Sequence, residues 1–237
     1  MTLIHDGDKL GGQFRLAGAA PRKESFLAWL DYMTLQLARH EVCVRLGTEA
    51  SANLIAELEP DVLLVASGPL GAPCRGAASA PAGRIIRLQD ALAGRAEIGA
   101  SVAIFGEDAM AAETADLLSE QGKTVTLVSP GRKIAPAMLN LIRSMLLARL
   151  SDKKVLQLTN MQLGAISGAE VEIVAVDGQR RTIGADTVIL GNEYRADTGF
   201  LSSVRDKVPA LYLIGGCRLI GDQQDAIADG YKVARLI

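Results

Sequence analysis

Between Ser101 and Ser129 the chain reads SVAIFGEDAMAAETADLLSEQGKTVTLVS, and no other stretch restricts the fold as much. Val102 to Phe105 is a short apolar run of the kind that fills a parallel strand buried on both faces. Gly106 follows. After it Met110, Ala111, Thr114, Ala115, Leu117 and Leu118 recur at helical spacing until Gly122, a residue suited to ending a helix. Thr124 to Val128 is a second run rich in β-branched residues. Strand, glycine turn, helix and strand in so short a stretch make a βαβ unit, whose crossover is right-handed.

A βαβ turn that receives a pyrophosphate reads G-x-G-x-x-G, so that backbone can approach the anion at the positive end of the helix. Here the corresponding positions are Gly106, Glu107, Asp108, Ala109, Met110 and Ala111. The first glycine is kept, and alanine in the third place is a tolerated variant. Asp108 in the second place sets a Cβ where the phosphate needs room and a like charge beside it. Two like charges 4 Å apart repel by about 4 kcal/mol at an effective dielectric of about 20. At a helix N-terminus Glu107 and Asp108 instead suit the dipole and the cap. The architecture of a nucleotide site is therefore present, while Asp108 argues against NAD(P) and for a self-capped helix.

The whole chain of 237 residues, 49% of them hydrophobic, is long enough for one large core or two smaller ones. A net charge of −2 with mixed signs gives no electrostatic case for nucleic acid or an anionic membrane, and 4% aromatic residues leave little for base stacking. Cys43, Cys74 and Cys217 form no C-x-x-C and have no histidine at metal spacing, so free thiols in a reducing cytoplasm are expected. No signal peptide or long apolar run is evident.

Taken in order, Thr2–Ile4 reads as a strand, and a glycine-rich loop with Lys9, Arg15 and Arg22 follows. Lys23 to His40 is an amphipathic helix with Phe26, Leu27, Leu30, Met33 and Leu37 on one face. Val42–Leu46 and Val62–Ala66 are strands around a helix at Ser51–Leu58, and Ser67-Gly68-Pro69 turns the chain. Gly71 to Gly83 is an irregular connection between two lobes. Arg84–Leu88 and Asp90–Ala93 lead into the βαβ unit. Beyond it, a helix over Ala137–Leu150 is expected to turn Met138, Leu141, Ile142, Met145 and Leu146 inward. Val155–Leu158, Met161–Ser167, Glu170–Val176 and Arg181–Ile183 are expected to alternate as an antiparallel meander. Apolar strands at Thr187–Leu190 and Leu211–Ile214 each run into glycine, at Gly191 and at Gly215-Gly216. Gln224–Leu236 is a closing helix.

Five motifs then stand in a recognisable order: Leu10-Gly11-Gly12-Gln13, Val65-Ala66-Ser67-Gly68-Pro69, the βαβ unit with Glu113-Thr114-Ala115, Ala185-Asp186-Thr187-Val188, and Tyr212-Leu213-Ile214-Gly215. Over essentially its whole length the chain resembles the two-domain FAD/NAD(P)-binding region of the NADH:flavin oxidoreductases, the family of 2,4-dienoyl-CoA reductase, trimethylamine dehydrogenase and histamine dehydrogenase. The resemblance implies an α/β fold of two Rossmann-like three-layer lobes. The FAD/ADP-type lobe would comprise residues 1–95 and 197–237, with an NAD(P)-type lobe, residues 96–196, inserted in it. It implies FAD or ADP as cofactor, held near Gly11, Gly12, Gln13, Ser67, Gly68, Gly106, Gly215 and Gly216. Family members carry this region behind an FMN-containing barrel with an iron–sulfur cluster, where substrate chemistry takes place. No catalytic or metal-binding residue is therefore expected of this chain alone.

The sequence departs from the family at the strand and glycine-rich turn that open the region, which it does not match. The acid at the end of the following strand is matched by His5, with Asp6 beside it. The late Gly-Asp pair is Gly215-Gly216, and the second turn carries Asp108. In a doubly wound sheet the first strand separates the second from the later ones, so without it Thr2–Ile4 cannot pair with Leu211–Ile214 and apolar edges stay open. A partner chain or an upstream segment, such as an FMN-containing oxidoreductase domain, is expected to supply the strand.

Single residues carry plain structural readings beside the functional ones. Gly11 and Gly12 lie against a cofactor or form a turn at positive φ. Ser67-Gly68 borders a flavin or simply ends a strand. Ser129 with Arg132 and Lys133 meets a 2′-phosphate or forms a solvated basic loop. Cys217 faces a flavin or is an inert buried thiol. Two functions follow: a cofactor-holding module of a flavin-dependent oxidoreductase, or a degenerate nucleotide-binding domain kept as a scaffold for subunit interaction.

Overall fold

The computed structural model describes residues 1–73, 85–196 and 199–237, which fall into two compact units. The first comprises Met1–Leu10, Gln36–Ala72 and Glu193–Ile237, the second Gly11–Leu35 and Pro73–Asn192. Contacts thus group Gly11–Leu35 with the second unit, whereas the family pattern divides the chain after residue 95. Cys74, Arg84 and the connection between them lie outside the described residues.

The second unit holds five parallel strands: β5 (Ile85–Arg87), β6 (Ser101–Phe105), β7 (Thr124–Val128), β8 (Leu156–Leu158) and β12 (Thr187–Leu190). Their order is β5-β12-β6-β7-β8. Helix α5 (Ala109–Glu120) links β6 to β7, and α6 (Asn140–Asp152) links β7 to β8. Side chains alternate along β6. Val102 and Ile104 enter one core with Leu118, Leu127, Leu146 and Leu150, and the short helix α4 (Leu88–Leu92) adds Leu88. Ala103 and Phe105 enter a second core with Val128, Ile166, Val171, Ile173 and Val188. That opposite face is covered by an antiparallel meander of β9 (Met161–Ser167), β10 (Glu170–Ala175) and β11 (Arg180–Gly184). Each Val, Leu or Ile taken fully from water contributes about 1.5–3 kcal/mol, so the two-sided burial of β6 and β12 makes this sheet the stable part of the unit.

Two expectations are corrected here. Leu156–Leu158 pairs parallel with β7 and so belongs to the main sheet, not to the meander. On α6, Leu146 and Leu150 turn inward, whereas Leu141, Ile142 and Met145 are 72%, 52% and 54% exposed. Both stripes of that helix are apolar, and packing on α5 selects one.

The second unit also contains α1 (Gly12–Ala17), absent from the sequence reading, and most of α2 (Glu24–Arg39). Phe14 stacks on Phe26 with ring centroids 4.6 Å apart and meets the edge of Trp29. Lys23 reaches across to α5 and pairs with buried Glu113 at 2.6 Å.

The first unit is built differently. β1 (Thr2–Ile4) pairs parallel with β2 (Cys43–Arg45), and β3 (Val62–Val65) pairs parallel with β14 (Ala210–Leu213). These remain separate two-stranded sheets, and among the described residues no strand joins them. Around them lie α3 (Ala52–Leu58), α7 (Gly199–Val204) and α8 (Gln223–Ala234). Along β14 every side chain keeps partial exposure, whereas all four of β12 are buried. A further pair, β4 (Pro69–Pro73) with β13 (Asn192–Ala196), forms where the chain leaves and re-enters the first unit; the sequence showed only a turn there.

Candidate functional site

In the first unit the candidate residues gather at the C-terminal ends of β3 and β14. The register sets Leu213 beside Val65, and the Ile214 N–H donates to the Val65 carbonyl at 3.0 Å. Ser67-Gly68 and Gly215-Gly216 therefore leave adjoining parallel strands side by side, the edge at which open α/β sheets receive ligands. Gly68 and Gly215 adopt φ of 79° and 65°, a region favouring glycine, and nothing lies within 4 Å of the place a Gly68 Cβ would take. At Gly216 the space is closed: a Cβ there would stand 2.5 Å from the Pro69 ring. Cys217 is fully buried, and its thiol donates toward the carbonyls of Val65 and Ile214 at 3.0 and 3.1 Å, which gives it the structural role of pinning the turn.

The sequence reading missed the group that holds this turn. The Asp229 carboxylate on α8 accepts from the Gly215 N–H at 3.2 Å and takes a two-pronged bond from Arg218 at 2.9 and 2.8 Å. The Arg218 guanidinium keeps its pKa below the usual carboxylate range. The start of α8 is fixed by a reciprocal cap between Asp222 and Asp225. His5 and Asp6, at the end of β1, engage each other at 3.3 Å, and His5 Nε2 lies 2.9 Å from the Lys9 carbonyl.

In the second unit Gly106 stands at the point where the sheet order reverses. A Cβ on it would come 2.8 Å from that of Ala111, so strand and helix meet as closely as the motif requires. Gly191, at the end of β12, donates its N–H to the Phe105 carbonyl at 2.7 Å. Asp108 caps α5: its side chain accepts from the Ala111 N–H at 2.8 Å. Burial raises the pKa of Asp108, partly offset by that hydrogen bond. Glu113, one turn further on, is also raised by burial, with Lys23 opposing. Ser129 is completely buried and its hydroxyl accepts from the Gly131 N–H at 3.2 Å, whereas Arg132 and Lys133 are exposed. The hydroxyl thus serves its own loop.

Gly11, Gly12 and Gln13 begin α1 in this unit. Gly11 has φ of 114° and packs against Leu30, and Gln13 is exposed. Among the described residues no cluster of acids, histidines and cysteines could hold a metal, and no helix is long and apolar enough to cross a membrane. A shallow groove lined by Ala56, Glu59, Pro60, Asp61, Lys207 and Pro209 lies at the opposite, N-terminal end of β3, away from the glycine edge.

The sequence profile of the pyridine nucleotide-disulphide oxidoreductases matches residues 34–230. The chain belongs to this family. It is 28% identical to a bilirubin reductase of Mediterraneibacter gnavus over all of its own length and 37% of that protein's. Against an NADH oxidase of Thermoanaerobacter brockii the identity is 29%, over 99% of this chain and 37% of the relative. A solved 2-naphthoyl-CoA reductase superposes on the entire chain with a TM-score of 0.91 at 28% identity, covering 36% of that enzyme. The histamine dehydrogenase of Rhizobium sp. 4-9 shares the fold, with a TM-score of 0.85 at 19% identity over the whole chain and 40% of its own. The chain thus spans between 36% and 40% of the length of these relatives. The resemblance drawn from the five motifs holds: this is an FAD/NAD(P)-binding-type domain of the flavin-dependent oxidoreductases.

Proposed function

We propose that the chain holds FAD or ADP at the C-terminal edge of β3 and β14 and supports electron transfer with a partner domain or subunit. The observation that carries this is the pairing of Ser67-Gly68 with Gly215-Gly216 at one sheet edge. Two backbones in left-handed conformation leave the strands together there, and the space over Gly68 is open. The residues fit a cofactor in part: Ser67 is exposed and Gly68 is unobstructed, whereas the Gly215 N–H is already bonded to Asp229. Bound FAD would supply the redox chemistry. This chain's residues would orient it, with Asp229 and Arg218 fixing the turn that faces it.

The partner would contribute the strand that lies between β1 and β14. The second unit gives the pattern. There β6, with its glycine turn, stands between β7 and β12, and the two separate pairs of the first unit are consistent with the place of such a strand being taken by a partner. An FMN-containing oxidoreductase domain, in the same polypeptide or another, is the proposed source. Gly11, Gly12 and Gln13 remain candidate cofactor contacts on the family pattern.

The test is to purify the chain alone and together with a segment carrying an apolar strand and a G-x-G-x-x-G turn. The complex should acquire a visible flavin spectrum or bind ADP. A colourless complex that ignores ADP would establish the second reading, a scaffold without cofactor, which the self-capped turn at Asp108 favours.

A further inference from the structure

We propose that Asp108 is a built-in substitute for a phosphate, so that the second unit has exchanged its pyridine-nucleotide cradle for a closed structural joint. The family places a dinucleotide at this turn, and the residues present do not fit one. The N–H groups at the start of α5 are what an anion would use, and the Ala111 N–H is already given to the Asp108 carboxylate at 2.8 Å. The Asp108 Cβ takes the room that a second glycine would leave.

The chain following β7 closes over the same turn. The Ala135 N–H donates to the Glu107 carbonyl at 2.6 Å, and the Glu107 carboxylate fills the space beside Gly131 that a Cβ would need. Within that segment Ile134 and Ala135 are buried. Ser129, at the end of β7 where a ribose or its 2′-phosphate would be recognised, is buried and bonded to Gly131. An anionic dinucleotide would have to displace a carboxylate, a loop and a hydroxyl, each already partnered.

The experiment titrates NADH and NADPH into the full chain and follows nicotinamide fluorescence and heat. The wild type should show no saturable binding up to about 1 mM, the upper end of usual KM values. Asp108→Asn keeps the Cβ and the cap and should stay blind. Asp108→Gly should bind at least tenfold more tightly than the wild type. Asp108→Ser, which keeps a good cap with less bulk and no charge, should show a smaller gain and decides the matter if the glycine variant does not fold. Saturable binding by the wild type, or a folded Asp108→Gly or Asp108→Ser protein no better than wild type, overturns the proposal. Flavin colour and ADP binding are read separately, so loss of the cofactor reading for the first unit leaves this result intact.

Discussion

The Asp108 carboxylate and the Ala111 N–H stand 2.8 Å apart, an intramolecular contact where related folds present open donors to an anion. Its stability consequence is separable from ligand binding. Asp108→Ala removes an N-cap and should cost about 1 kcal/mol in urea unfolding, while Asp108→Asn, which still caps, should cost little. Burial raises the pKa of Asp108, so its contribution is present below the unfolded value and is lost as pH rises through the folded one. Replacing it by Asn should therefore flatten the decline in stability between those two pH values. Melting temperatures measured across the acid range would check both the size and the sign.

Asp116 on α5 is 1% exposed and sits between Arg149, at 3.1 and 2.8 Å, and Lys153, at 2.6 Å. Lys153 also reaches Glu120 at 2.7 Å. Removing the acid leaves two cations facing a vacated, water-poor space, so Asp116→Ala should destabilise the second unit by about 3 kcal/mol. Glu120→Ala, whose pair lies at the surface, should change stability by less than about 1 kcal/mol. Equilibrium unfolding of the two variants side by side would show whether the ranking holds.

Asp229 offers the opposite pH sign from Asp108. Arg218 holds its pKa down, so its contribution exists above the unfolded value and disappears as pH falls through the folded one. Asp186 behaves likewise: burial works against the charge, but hydrogen bonds from Ser101, Thr187 and Ala100 outweigh it. Asp229→Asn and Asp186→Asn should each shift the acid end of the stability profile to a shallower slope. The Asp186 change should register in amide exchange of β6 and β12, which that side chain joins at their starts, and the Asp229 change in β14 and the Gly215 turn.

The βαβ unit was legible because its signals agree. An apolar run, a glycine, helical spacing and a stop at Gly122, with φ of 80°, all point to one structure. The orientation of α6 was not legible. Leu141, Ile142 and Met145 mark one stripe and Leu146 and Leu150 another, and nothing local in the residues chooses between them. Leu156–Leu158 looked like part of the meander because its neighbours alternate, yet pairing with β7 is decided by where α6 delivers the chain. At the candidate site the glycines showed in the sequence as strand ends. The Asp229 and Arg218 clasp did not, since its members are eleven residues apart on a 3-10 turn and a helix.

Open strand edges in the first unit lead to the remaining prediction. β1 and β14 each pair on one side only among the described residues, and their side chains stay partly exposed. Amides of β1, β2, β3 and β14 should exchange with solvent well before those of β6 and β12, which are paired on both sides and buried. Such edges also template association, so the chain alone should self-associate as concentration rises. A segment that supplies the intervening strand should slow exchange in β1 and β14 together, leave β6 and β12 unchanged and suppress self-association. Protection of only one of the two pairs would mean that the added strand extends an outer edge and does not bridge them. Equal protection in both units without any added segment would show the first sheet to be self-sufficient and remove the need for a partner.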